Sequence, residues 1–253
     1  MTQFILALCG IPASGKTVLA KAIKDEFRYS QPVEIVSTDD WRNDEFHLKF
    51  TPELENNVRR AALEKTRQLV KQGVSIIHDD TNYYTSMRHE LLEIALEHDC
   101  GFAVVYVSTP LSDALRINES RRRQIPVAVV KRISDRLDIP GTRYAWDRPI
   151  SSLNPFEAGL SEAVKDIARK LQDLRPVPKE LSSFESGIDE QLDVTTRQVV
   201  SQFLNENPSF RGHPQISQLR KEVLRRGKLE DFANEKVREE LRLRLEALLQ
   251  NNS

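Results

Sequence analysis

The residues best suited to chemistry stand near the N-terminus. Gly10-Ile11-Pro12-Ala13-Ser14-Gly15-Lys16-Thr17 satisfies the pattern G-x-x-x-x-G-K-[ST] at each fixed position. Gly10 and Gly15 let the backbone turn tightly and approach an anion closely. Backbone N–H groups of the loop, which Pro12 alone lacks, and a helix N-terminus would then face phosphate oxygens. Lys16 can reach the outer phosphates of a nucleoside triphosphate such as ATP, and the Thr17 hydroxyl can ligate Mg2+. Two acidic pairs, Asp39-Asp40 and Asp79-Asp80, each follow an apolar run. An acid in the position of Asp79 is where the second Mg2+ anchor of such a site stands. Asp39 is a second candidate carboxylate, although an Asp pair there is also an ordinary turn or helix cap.

Further candidates are basic. Arg116, Arg121, Arg122, Arg123, Lys131, Arg132 and Arg136 lie between Leu111 and Leu137. Such a run is either a solvated helical face or a lid whose arginines close over phosphates. Arg220, Lys221, Arg225, Arg226 and Lys228 crowd a second segment, which reads equally as a solubilising face or as a patch for a phosphate backbone. The five histidines show no metal-ligand spacing, and His78 reads as a packed strand residue.

The elements that must position these groups follow from periodicity. Phe4–Cys9, Val33–Ser37, Val74–His78 and Gly101–Val107 are short apolar runs of the buried parallel-strand kind, and Ile150–Leu153 is a last short strand. Helical spacing separates them. Val18, Leu19, Ala22 and Ile23 mark the first helix. Thr51 as cap and Pro52 at the first position open the second, after a polar loop from Asn43 to Phe50. Strands alternating with helices imply a parallel sheet. Arg175 to Gly187 is rich in Pro, Ser and Gly, and beyond it only helical patterns follow. The expected architecture is α/β: a P-loop NTPase-type parallel sheet with flanking helices over residues 1–175, a linker over 176–193, and a small all-α domain over 194–253.

The chain has 253 residues, formal net charge −1 and two cysteines. Bulk charge therefore gives no drive toward nucleic acid or membrane, and any polyanionic partner must meet a local patch. Cys9 and Cys100 sit in apolar runs, read as small core residues, and suit a reducing, cytoplasmic setting. The first strand begins at once, without a signal-peptide pattern, and no apolar run reaches membrane-spanning length.

Several strings add a resemblance. Asp79-Asp80-Thr81-Asn82-Tyr83-Tyr84, Ser86-Met87-Arg88, Gln124-Ile125-Pro126 and Tyr144-Ala145-Trp146-Asp147-Arg148-Pro149 resemble the archaeal O-phosphoseryl-tRNA(Sec) kinase family. Thr196-Arg197-Gln198-Val199-Val200-Ser201 and Leu219-Arg220-Lys221-Glu222 resemble its tRNA-binding helical domain. The resemblance implies ATP- and Mg2+-dependent phosphorylation of the seryl group of seryl-tRNA(Sec). By position it implies ATP and Mg2+ roles for Lys16 and Thr17, a catalytic carboxylate at Asp39, an active-site arginine at Arg42, and lid arginines at Arg116 and Arg121. Asp39 and Asp79 both stand as Mg2+ carboxylates. The related Elongator-associated regulatory ATPase is the rival resemblance, and a small-molecule or polynucleotide kinase a more distant one. In the rival the strand end reads Asp-Ser-x-Asn-Tyr, so Asp80-Thr81 favours the kinase. An apolar-faced helical tail can pack on its own domain or on a second subunit, so a homodimer is one expectation.

Overall fold

The computed structural model describes residues 2–42, 52–121, 124–178, 188–210, 212–230 and 232–250. The polar loop from Asn43, the Thr51 cap, Arg122, Arg123 and the linker residues 179–187 lie outside these ranges. Five strands, β1 (Phe4–Cys9), β2 (Val33–Ser37), β3 (Ser75–Asp79), β4 (Gly101–Val107) and β5 (Ser151–Leu153), form one sheet of order β2-β3-β1-β4-β5, parallel throughout. Between them run α1 (Lys16–Glu26), α2 (Pro52–Lys71), α3 (Thr85–Glu97), α4 (Leu111–Glu119) and α5 (Val127–Asp135). After β5 comes α6 (Leu160–Gln172). The expected α/β sheet is thus present, and the break near Pro126 separates α4 from α5.

β1 is central and buried along its whole length, because helices cover both faces of the sheet. Its alternate residues divide between two cores. Phe4, Leu6 and Leu8 join Leu19 and Ile23 of α1 and Val164, Ile167, Ala168 and Leu171 of α6. Ile5, Ala7 and Cys9 join Ala62 and Val70 of α2 and Leu91, Ile94 and Ala95 of α3. The period of two in the strand and the i, i+3, i+4, i+7 spacing in α6 are the two periodicities the backbone imposes. Register then does the positioning. Leu8 and Ser37 both stand beside Asp79, and Cys9 stands beside Tyr106. The phosphate loop, the Asp39 turn and Asp79-Asp80 therefore leave the sheet at one edge, the carboxyl edge, where open α/β sheets bind ligands.

That edge is tied down by a fully buried ion pair. Arg88 of α3 and Asp147 are both almost inaccessible. Arg88 Nη2 and Nε donate to Asp147 Oδ2 at 2.6 and 3.0 Å, and Nη1 donates to the Asn82 carbonyl at 2.8 Å. Asp147 Oδ1 accepts the Gly141 N–H at 2.9 Å. Asn82 in turn donates to the Leu8 carbonyl at 2.8 Å, and Asp138 Oδ2 accepts the Thr85 N–H at 3.0 Å. The segment after β3, the end of β1 and the loop after α5 are joined through one guanidinium.

The chain divides into two compact units, Met1–Pro178 and Lys179–Ser253. In the second, α7 (Ile188–Glu206), α8 (Pro214–Leu229) and α9 (Asn234–Gln250) bury Leu192, Phe203, Val223, Val237, Leu241 and Leu245 together. α7 begins at Ile188, inside the stretch read as linker, because Leu192 and Val199 belong to its packed face. The basic segment is also less free than its composition suggests. Arg220 pairs with Asp193, and Arg226 pairs with Glu230 at 2.9 Å and Glu240 at 3.2 Å. Lys221 and Arg225 are exposed. Cys9 and Cys100 are buried and unbridged. Among the described residues no helix is long and apolar enough to cross a membrane.

The buried pair makes a thermodynamic prediction. Arg88→Met leaves Asp147 charged in a dry site and should cost about 3–5 kcal/mol, whereas adding Asp147→Leu should recover most of that loss. Urea unfolding of the four proteins of the cycle measures it. Additive losses would show that the two charges do not act as a pair.

Candidate active site

The phosphate loop is shaped by contacts that admit no side chain. A Cβ on Gly10 would meet the Val107 carbonyl oxygen at 2.6 Å, so β4 can lie against the loop only because residue 10 is glycine. Gly15 caps α1 at φ +95°, in the left-handed region, and a Cβ there would meet the Phe156 ring at 3.0 Å. Ala13 also takes φ +62°, a conformation that costs a non-glycine residue roughly 1 kcal/mol or more. The Gly10 N–H donates to the Thr81 carbonyl at 3.0 Å, and the Ser14 N–H to the Ile11 carbonyl at 3.3 Å. Ile11, Pro12, Ala13 and Ser14 are all buried. The loop is a stiff arch supported from both sides.

Lys16 lies within the arch, 8% exposed. Its Nζ donates to the Ile11 carbonyl at 2.7 Å and the Gly10 carbonyl at 3.1 Å, with Ser14 Oγ at 3.4 Å. Burial lowers its pKa, against the opposing pull of Asp79 and Asp80, and Arg121 lowers it further. The ammonium is therefore a costly charge held by neutral acceptors, a state that an anion relieves. Thr17 Oγ1 donates to Asp79 Oδ2 at 2.7 Å. Burial raises the Asp79 pKa, the Thr17 hydrogen bond and Lys16 pull it down, and Asp39 and Asp80 add to the rise.

Asp39 and Asp40 belong to a single 3-10 turn, Thr38–Trp41, that continues β2. The Asp39 side chain is 76% exposed and accepts from Arg42 Nη1 at 2.7 Å. Arg42 is shared among acids: it also pairs with Glu55 of α2 and lies 4.0 Å from Asp80. Burial disfavours its charge, but Glu55, Asp80 and Asp39 more than offset this. Asp39 thus remains a turn residue and an accessible carboxylate at once. The structure brings Lys16, Thr17, Asp39, Arg42, Asp79 and Arg121 into one electrostatic neighbourhood. Arg116 is elsewhere engaged, 77% exposed and paired with Asp113 of its own helix at 3.3 Å.

A cation is tested by the donors present. Among the described residues no three His, Cys, Asp or Glu side chains converge to form a protein-only cage. One hydroxyl and one carboxylate, Thr17 and Asp79, with Asp39 and Asp80 near, is instead a set of hard oxygen ligands. It suits Mg2+, which keeps waters and phosphate oxygens in its shell. Thr109, whose hydroxyl donates to the Ser14 carbonyl at 2.8 Å, and Asn82, Arg88 and Asp147 escaped sequence reasoning as supports of the site. Asp147 carried a signal, a charge set directly after Tyr144-Ala145-Trp146.

Strand, phosphate loop and helix on this parallel sheet define a P-loop kinase-like protein. The chain belongs to the family described as chromatin associated protein KTI12, whose model matches residues 4–239. It is also similar to the L-seryl-tRNA(Sec) kinase of Methanococcus maripaludis, 32% identical over 153 residues that make up 60% of each chain. The resemblance drawn from the strand-end strings is thereby borne out. The KTI12 homolog of Danio rerio is 26% identical over 163 residues, 61% of this chain and 59% of that protein. The chain spans about three fifths of the length of these curated relatives. The fold is similar to that of Chaetomium thermophilum Kti12 in complex with ADP-AlF3, with a TM-score of 0.52 and 20% identity over 68% of this chain and all of that one.

His78 offers a pH test of this packing. It is buried in β3, with Nδ1 3.4 Å from Asn82 Nδ2, and burial lowers its pKa from 6.5 to about 4. Below pH 6.5 the unfolded chain takes up a proton that the folded chain refuses until about pH 4. The contribution of neutral His78 is therefore complete above pH 6.5 and is lost as pH falls through that window, on the order of 3 kcal/mol in all. His78→Gln should flatten the pH dependence of unfolding there. A parallel loss in both proteins would mean that His78 is protonated within the fold.

Proposed function

We propose that the chain is an ATP-dependent kinase acting on the seryl group of seryl-tRNA(Sec). The observation that carries this reading is Asp39. A phosphate cradle alone serves any nucleotide-binding protein, but Asp39 adds an accessible carboxylate, held by Arg42, in the electrostatic neighbourhood of Asp79. A kinase needs such a group to orient an incoming hydroxyl and accept its proton. The similarity to the Methanococcus maripaludis kinase supports the choice of acceptor.

In this reading the arch binds the β- and γ-phosphates of ATP, and Lys16 exchanges neutral carbonyls for phosphate oxygens. Thr17 and Asp79 would hold Mg2+, which neutralises charge on the phosphates when bound. Asp39 orients the serine hydroxyl. Its oxygen attacks the γ-phosphorus, the bond to the β-bridging oxygen breaks, ADP leaves and the proton passes to Asp39. Arg121 supplies positive charge near Lys16, where the transition state spreads its own. Lys221 and Arg225 are exposed cations of α8 available to a tRNA backbone, whereas Arg220 and Arg226 are engaged with acids. The rival resemblance, to the Elongator-associated regulatory ATPase, gives a second reading, an ATPase that binds tRNA without phosphorylating its aminoacyl group.

Label transfer from the γ-phosphate of ATP to seryl-tRNA, against free serine and uncharged tRNA, separates the two. Asp39→Asn should lower turnover about 10²-fold or more while ATP affinity is kept, and Lys16→Ala should also lower turnover on the order of 10²-fold. Release of labelled phosphate stimulated by tRNA, with none on the seryl group, would favour the ATPase.

A further inference from the structure

Arg121 takes its place from the connection between α4 and α5, which folds back onto the end of α4. The last carbonyls of a helix have no partner within the helix itself. Here the connection supplies the partners. The Ile117 carbonyl accepts the Ser120 N–H at 3.2 Å and the Ser120 hydroxyl at 2.8 Å. The Asn118 carbonyl accepts the Arg121 N–H at 3.2 Å, and the Glu119 carbonyl accepts Gln124 Nε2 at 2.8 Å. The far end of the connection is closed by one side chain. Asn118 is 2% exposed. Its Nδ2 donates to the Ile125 carbonyl at 2.7 Å, and its Oδ1 accepts the Ile125 N–H at 2.9 Å. A side-chain amide answers a peptide unit donor for acceptor, as a neighbouring strand would. Asn118 thus grips the connection twice, through its backbone at Arg121 and through its side chain at Ile125.

We propose that Asn118 is a positioning residue, whose amide tie to Ile125 holds Arg121 where its guanidinium meets the γ-phosphate of a bound nucleoside triphosphate. The proposal rests on the nucleotide reading above and not on the choice of acceptor. Arg121 is exposed, so burial does not fix its place. Its charge is nonetheless felt at Lys16 inside the arch. Arg116 is by contrast taken up by Asp113 of its own helix. What keeps a solvated arginine beside a second cation is therefore the backbone that carries it. Of the side chains that tie this backbone, Ser120 and Gln124 are exposed and Asn118 is buried, where water does not compete for its bonds. Two like charges held near each other cost energy until an anion comes between them. An arginine on a tied connection also meets that anion without first losing the freedom of a loose one.

Equilibrium binding of ATP and ADP to the full chain with Mg2+ tests this without any acceptor, because the two ligands differ by the γ-phosphate. Wild type should prefer ATP. Arg121→Ala should weaken ATP about tenfold and leave ADP within about twofold. Asn118→Ala should weaken ATP about fivefold with the same sparing of ADP, and should add less than about twofold in the Arg121→Ala background. Asn118→Asp keeps the size of the side chain but sets a carboxylate oxygen against the Ile125 carbonyl. It should behave as Asn118→Ala does, and it is the variant to read if the alanine protein does not fold. Equal weakening of ATP and ADP would overturn the proposal, because Asn118 would then be supporting the fold alone. Unchanged ATP affinity in both Asn118 variants would overturn it, as would fully additive losses in the double variant or a wild type that does not prefer ATP. The expected pattern in a protein that transfers no phosphate to seryl-tRNA would uphold the proposal and overturn the acceptor reading. A wild-type chain that binds neither nucleotide would overturn both this and the phosphate-loop reading.

Discussion

A single guanidinium holds the working edge of this sheet together. Arg88 donates to Asp147, to the Asn82 carbonyl and to Thr85 Oγ1, and its Nη1 lies 3.6 Å from Cys9 Sγ. No smaller or uncharged side chain offers so many donors in one plane. The cost is a charge removed entirely from water, which is tolerable only because Asp147 stands opposite and the remaining donors are satisfied. Cys9 registers the same dry environment, its thiol pushed up to about 11 by burial. Asn82, in the left-handed region at φ +40°, is held there by its carbonyl on Arg88 and its amide on Leu8. Because Thr81 accepts from Gly10, the geometry of the phosphate loop depends on a residue far outside it.

The site itself is arranged against stability. Burial lowers the pKa of Lys16 and raises that of Asp79, so each charged form is disfavoured where it stands. Each is the other's partial relief, and Thr17 adds a hydrogen bond to the carboxylate. Such crowding of costly charges is common where a protein receives a highly charged ligand. The helices around it carry the opposing term. The two cores on either face of β1 contain most of the buried aliphatic side chains of this unit, and they hold the edge in shape whether or not its charges are content.

What could be read from the sequence was local or periodic. The phosphate loop is one contiguous string, and the strands and helices follow from repeating patterns. The meeting of Thr17 with Asp79 was legible although they are 62 residues apart, because the order strand–loop–helix–crossover–strand leaves little choice. Arg88 and Asp147 were visible as parts of strings but not as partners. Nothing in a sequence of this kind joins two residues 59 apart in different elements. The pairing within the basic segment of α8 was hidden for a related reason. Its count of positive charges was right, but Asp193 and Glu240, on neighbouring helices, had already claimed Arg220 and Arg226. The Arg116 partner, Asp113, stands one turn away on the same helix and is legible from spacing alone.

The order β2-β3-β1-β4-β5 puts the phosphate arch on the central strand and Asp39 at the tip of an outermost one. These positions differ in how much of the protein a change would disturb. β1 is hemmed in by strands on both flanks and by helices on both faces, so its loop is nearly immutable. β2 has a neighbour on one flank only, and its turn projects beyond it. In the kinase reading proposed above, a change of acceptor would fall on that outer tip and would leave the interior around the phosphate loop untouched. The topology separates a hemmed-in part of the site from a projecting one.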